Sequence, residues 1–208
     1  MSPAIVRFFL STLTTLVALW GGCRCAQAQV VTSRHGADGV YGRFDGDLDL
    51  GLGLGAELGS AGRAAPLLLG TAHYFSMAGV YAAGRVRAVD GSAPSLFALG
   101  IDLRPLFVPR WSKGFETGPA LLDLTLDSLS LSLGAFWAAE SPHGAVAGRG
   151  FEVGLGFGVP LFGRANGPWL EARGQLRYPD RGARQDAVLL LVAWHGFVTT
   201  PFSENSGL

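Results

Sequence analysis

Lysine is nearly missing from this chain: Lys113 is the single lysine among 16 basic residues, which are matched by 16 acidic ones. A soluble surface rich in lysine is thereby excluded, and a formal charge of zero removes the electrostatic footprint of a nucleic-acid partner. Cysteine is scarce as well. Cys23 and Cys25 are the only two, and both fall in the first 28 residues, where Arg7, the apolar stretch from Phe8 to Leu19 and Ala26-Gln27-Ala28 have the layout of a cleavable export signal. A mature chain beginning at Gln29 has no thiol for a disulfide, a zinc site or a nucleophile. Lipid attachment at Cys23 is disfavoured because Trp20-Gly21-Gly22 is a poor approach to a lipidated cysteine. Beyond the signal no apolar run reaches the roughly 18 residues that a membrane helix requires, although hydrophobic residues make up 49% of the chain.

Glycine is what the chain has in excess, 31 of 208 residues, about twice the usual share. These glycines lie inside apolar segments, where a helix would lose about 1 kcal/mol at each, so the segments read as strands. From Arg43 to Leu58, Phe44, Leu48, Leu50, Leu52, Leu54 and Leu58 share one parity, and Arg43, Asp45, Asp47, Asp49, Gly51, Gly53, Gly55 and Glu57 the other. The same rule holds over Phe97–Arg104, Ser128–Trp137, Phe151–Leu161 and Trp169–Tyr178. Weaker alternation covers Leu67–Ser76 and Val80–Val89, joined by a turn at Met77-Ala78-Gly79, while Ala187–Val198 is apolar on both faces. The expectation is one domain over 29–208 with eight strands at 43–58, 66–76, 79–89, 95–105, 128–138, 150–162, 168–178 and 186–198.

Which face meets water decides the class. The polar face is rich in glycine and serine, which suits the cramped interior of a barrel of about eight strands. The expected fold is therefore all-β, a closed antiparallel up-and-down transmembrane barrel with its leucines outside. Arg43, Arg85, Arg87, Arg104, Arg173 and Arg177 then face inward with Asp45, Asp47, Asp49, Glu57, Asp102, Glu152 and Glu171, a nearly balanced charge network in the lumen. Trp111, Trp137, Trp169, Trp194, Tyr41, Tyr74 and Tyr178 lie mostly near segment ends, as aromatic girdles would. Pro105–Asp127 is too long for a short turn, and Pro119–Asp127 is expected to form a short interfacial helix, the alternative being an irregular start to the next strand with a bulge near Asp127-Ser128.

The export signal, the cysteine-free mature chain, the opening strand Asp47-Leu48-Asp49-Leu50-Gly51-Leu52-Gly53-Leu54-Gly55 and the even strand count resemble the small bacterial outer-membrane β-barrels. That broad group includes the outer membrane protein A transmembrane domain, the OmpW type and the lipid A palmitoyltransferase and deacylase barrels. The likeness spans nearly all of the mature chain and is one of pattern rather than motif. It implies the outer membrane as location, its lipids as surroundings and insertion by the barrel-assembly machinery. One departure is the end of the chain, where Phe197 and Phe202 are followed by Ser203–Leu208 instead of a terminal aromatic.

Chemistry is harder to find. The lipid A deacylase type sets His and Ser two apart on one strand, whereas His73 and Ser76 are three apart, His195 is followed by Gly196, and His143 follows Ser141-Pro142 in an expected loop; His35 precedes the strands. Asp45-Gly46-Asp47-Leu48-Asp49 lacks the spaced Glu of a calcium loop, and Gly51, Gly53 and Gly55 are followed by no helix, so neither a metal, a dinucleotide nor any other cofactor is expected. The leading expectation is a non-enzymatic, structural or scaffolding barrel with a lumen filled by side chains. The alternatives are a narrow conduit for small apolar solutes, a lipid A-modifying enzyme and a soluble lipocalin-like carrier.

Overall fold

A computed structural model describes residues 42, 47–59, 64–86, 94–115, 118–139 and 148–199. Period-two alternation becomes eight strands: β1 (Leu48–Gly59), β2 (Ala64–Tyr74), β3 (Ala78–Arg85), β4 (Leu96–Leu103), β5 (Ser130–Ala138), β6 (Gly148–Pro160), β7 (Gly167–Pro179) and β8 (Gln185–Val198). Each pairs antiparallel with the next, and β8 returns to β1 in the register Leu48↔Val198 through Gly59↔Ala187, closing an up-and-down barrel. Closure leaves no strand edge with unpaired backbone groups. We call the end carrying the start of β1 and the end of β8 proximal, and the other distal.

The alternation sorts side chains by size and polarity. Leu52, Leu54, Leu99, Ile101, Leu133, Phe151, Leu155 and Val192 point outward and are exposed, whereas Asp49, Glu57, Asp102, Glu152, Arg173 and Arg177 point inward and are buried. Leu67, Leu69, Phe136, Leu189 and Leu191 also point inward, where they pack into one cluster with Tyr81 and Ala98. Space for these large groups comes from the glycines. A Cβ on Gly154 or Gly156 would fall within 2.9 Å of Gln175 or Arg173 side-chain atoms, so the glycine run of β6 is the seat over which the long side chains of β7 lie. The facing pair Gly100 and Gly134 does the same for the ring of Tyr81, which a Cβ at either position would strike.

Two expectations are revised. The β2–β3 turn falls at Phe75 and Ser76, both at positive φ (47° and 52°), rather than at Met77-Ala78-Gly79. Gly79 is instead a strand residue opposite His73, and it is glycine because a Cβ there would lie 2.0 Å from the Ala72 carbonyl oxygen. Trp169 does not belong to a girdle: it is inward-facing and buried, with its indole N–H donating to the Ala165 carbonyl at 2.9 Å. Trp137, Trp194 and Tyr74 are exposed on the outer wall, Trp111 is on a helix, and Tyr41 lies outside the described residues. Stacked pairs Phe97–Trp137 and Phe151–Tyr178 mark the wall toward the distal end.

The long β4–β5 connection folds into α1 (Phe107–Ser112) and α2 (Ala120–Asp127), so the leucine parity breaks there because a helix ends and a strand begins, not because of a bulge. Extended Pro119 precedes α2, and Arg110 of α1 holds two of its carboxylates, Asp127 at 2.8 Å and Asp123 at 2.5 Å. Leu124 of α2 is buried in one cluster with Ala165, Trp169 and Ala193, which sets the helix against the proximal mouth. Ser128, the C-cap of α2, engages β6 beyond Ser130↔Gly156 with its side chain, its hydroxyl accepting from the Gly158 N–H at 2.8 Å.

Because the Tyr81 ring rests on the Gly100–Gly134 pair, Gly100→Val is expected to lower unfolding stability by about 1–3 kcal/mol through overpacking. Gly84→Ala, whose added Cβ meets open space, is expected to stay within about 0.5 kcal/mol of the parent chain. Denaturant titration of the folded barrel compares the two.

Candidate functional site

The lumen holds its charges in two belts. In the distal belt Arg177 of β7 is the hub: Nη1 and Nη2 donate to both carboxylate oxygens of Glu57 at 2.7 and 3.0 Å, and Nε donates to Glu152 at 2.7 Å. Arg85 pairs with Glu57 from the other side, and the hydroxyl of Tyr81 donates to the remaining Glu152 oxygen at 2.8 Å. Two guanidiniums thus face two carboxylates, and the bonds run from β3 to β6 and from β7 to β1, across the bore and not merely along the wall. The fork geometry of Arg177 matches the carboxylates as a bidentate pair requires.

The proximal belt alternates acids and imidazoles. Asp102 faces His73 Nε2 at 2.9 Å, Asp49 faces His195 Nδ1 at 3.0 Å, and Glu171 faces His195 Nε2 at 2.8 Å. Arg104 donates to Asp49 at 2.8 Å, and Arg173 stands 3.5 Å from both Asp102 and Glu171, closing the circuit of groups. Beside it a small, partly open cleft with room for about one water molecule is lined by Arg104, Ser130, Trp169, Glu171, Arg173 and His195. Arg173 Nη1, Asp102 Oδ1, Glu171 Oε2 and His73 Nδ1 are buried without a hydrogen-bond partner among the described residues.

Of the inward charges expected from the sequence, Asp47, Asp49, Glu57, Asp102, Glu152, Glu171, Arg173 and Arg177 are buried in the barrel. Arg85 and Arg104 reach in from the distal and proximal ends with side chains 9% and 12% exposed. Arg43, Asp45 and Arg87 lie outside the described residues, as do His35 and His143. Parity alone did not single out His73, His195 or Tyr81. Their inward neighbours on β2, β3 and β8 are mostly apolar, Leu67, Leu69, Ala83, Leu189 and Leu191, with only Thr71 and Arg85 polar, so polarity marks these faces weakly. The signal was present in phase: His195 shares the parity of Ala187, Leu189, Leu191 and Ala193, all buried. Ser76 is buried in the turn, where strand parity no longer governs its direction.

The fold and its interior define a closed eight-stranded barrel whose bore is spanned by ion pairs. No protein-family model and no curated protein sequence matches the chain. Among the described residues no group of three or more potential metal ligands comes together.

Removing Arg177 leaves Glu57 and Glu152 buried against one another's field, so Arg177→Met is expected to cost about 3–5 kcal/mol of unfolding stability. Adding Glu152→Gln to that variant, which leaves one guanidinium, Arg85, facing one carboxylate, Glu57, is expected to recover most of the loss. Tyr81→Phe, which strips one hydrogen bond from Glu152, is expected to cost only about 1–3 kcal/mol. Equilibrium unfolding of the variants measures all of these.

Proposed function

We propose that the chain is an exported outer-membrane barrel with a structural or scaffolding role, its bore sealed by side chains. The observation that carries this reading is the inverted placement of polarity around a closed cylinder. Leucine, valine, isoleucine and phenylalanine side chains are exposed on all sides of the wall, while arginines and carboxylates are buried at its axis. In water such a belt would be an aggregation surface far beyond the apolar patch of an ordinary monomer; in hydrocarbon it is the expected boundary. The layout of residues 1–28 supports export, and the pattern resemblance supports the outer membrane, its lipids and the barrel-assembly machinery as surroundings.

The interior supports sealing over conduction. Leu189 and Leu191, which gave the last strand its apolar character, pack against Leu67, Leu69 and Phe136, and α2 sits against the proximal mouth. His73 and His195 are turned into the bore, away from where a lipid substrate would lie, which argues against lipid A modification. The outward leucines argue equally against a soluble carrier.

Cell fractionation with gel mobility before and after boiling tests the reading: the folded barrel is expected in the outer-membrane fraction and to shift on heating. Recovery as a soluble protein with heat-independent mobility would refute it. Purified protein in planar bilayers is expected to give no conductance above bare lipid, and steady single-channel steps would replace the sealed barrel with a conduit. Leu99→Arg, which places a guanidinium on the outer wall, is expected to destabilise the bilayer-inserted barrel by about 2–4 kcal/mol if it lies near the midplane.

A further inference from the structure

In the proximal belt one group is short of a proton. Carboxylates only accept, and a neutral imidazole offers one N–H and one bare lone pair. His195 faces a carboxylate oxygen with each ring nitrogen, Asp49 at 3.0 Å and Glu171 at 2.8 Å. A neutral His195 would set a lone pair against one of those oxygens inside a bore with little water to screen the repulsion. His73 is different: Nε2 faces Asp102 at 2.9 Å, while Nδ1 has no hydrogen-bond partner and lies 3.9 Å from Asp49, so one N–H suffices.

The charges of the belt require the same proton. Asp49, Asp102 and Glu171 are three carboxylates served by two guanidiniums, Arg104 and Arg173, which leaves one negative charge uncancelled. One imidazolium cancels it. Among the described residues nearby, Asp123 and Asp127 of α2 engage Arg110, and Asp47, buried at the very start of the wall, is also engaged.

We propose that His195 is a proton-binding site, carrying hydrogen on both ring nitrogens between Asp49 and Glu171 and thereby holding the proximal belt neutral and closed. The solvent-connected cleft lined by His195, Ser130 and Trp169 gives that proton a route of exchange with the proximal end. The distal belt, built of Arg85, Arg177, Glu57, Glu152 and Tyr81, contains no histidine, so the two seals respond differently to proton loss. Losing the proton leaves an unpaired charge and a facing lone pair in the proximal belt alone, which loosens while the distal seal keeps the bore shut. This inference rests on the lumen geometry and stands whether or not the outer wall meets lipid.

The test is nitrogen NMR of the full chain labelled at histidine, folded in detergent micelles or, should it prove soluble, in buffer, at about pH 8. An exposed histidine with a pKa of about 6.5 is there only about 3% protonated. His195 is expected to show two protonated ring nitrogens and His73 one, with assignment from the His73→Gln chain or, equally, from His195→Gln. In Glu171→Gln the amide N–H₂ donates to His195, which is then expected to revert to one protonated and one bare nitrogen. A bare ring nitrogen on His195 in the unsubstituted chain would overturn the proposal. Gel mobility on boiling reports separately on the outer-membrane reading, so the two fail independently.

Discussion

An eight-stranded cylinder is just wide enough for its own side chains to fill, and that shortage of volume governs the rest of this structure. A long inward side chain is accommodated only where the wall facing it is bare. Gly154, Gly156 and Gly158 of β6 therefore lie beneath Gln175, Arg173 and Trp169 of β7, and Gly100 with Gly134 lies beneath Tyr81. The abundance of glycine is thus a packing requirement, with the strands' lost side-chain contacts offset by those of the arginines and aromatics laid over them.

The same shortage of space dictates how charge is handled. A guanidinium in a bore with little water must meet its carboxylates directly, since leaving one unpaired costs several kcal/mol. Arg177 meets this demand with three hydrogen bonds to two glutamates, and each of those glutamates takes a further bond, from Arg85 or Tyr81. All but the Arg177–Glu152 bond join strands that are not neighbours in the sheet, so they fix the cross-section of the barrel as well as its charge. The proximal belt solves the same problem with imidazoles, the side chains whose ordinary pKa lies nearest neutrality.

How much of this was readable in advance depended on whether an inward face was marked by polarity. β1, β6 and β7 were plain because Asp49, Glu57, Glu152, Glu171, Arg173 and Arg177 alternate with leucines and phenylalanines. β8 was not, because Leu189 and Leu191 point inward with the same chemistry as Leu190 and Val192 outside, which hid His195 in an apolar run. Trp169 looked like a strand-end aromatic, yet its register opposite Pro160 and Ala193 brings it over Gly158 and under α2. The turn at Phe75-Ser76 had no sequence mark at all, since it uses positive φ without glycine or asparagine. The helix after Pro119 was legible in its N-terminal proline and in the leucine spacing that departs from period two.

Register is where these constraints meet. Shifting β7 by one residue against β6 and β8 would exchange its two faces, carrying Glu171, Arg173 and Arg177 to the outer wall and bringing Leu170, Ala172 and Leu176 inside. Glu152 and Asp102 would then be left in the bore without a guanidinium and Glu57 with Arg85 alone, and Gly154 and Gly156 would lose the side chains that lie over them. The slip gives the displaced arginines no carboxylate in exchange, because the exposed outer wall is lined by apolar and aromatic side chains. The ion pairs across the bore therefore select one alignment of β7 against its neighbours, and closure extends the constraint around the wall, since β8 pairs with β1 as well as with β7.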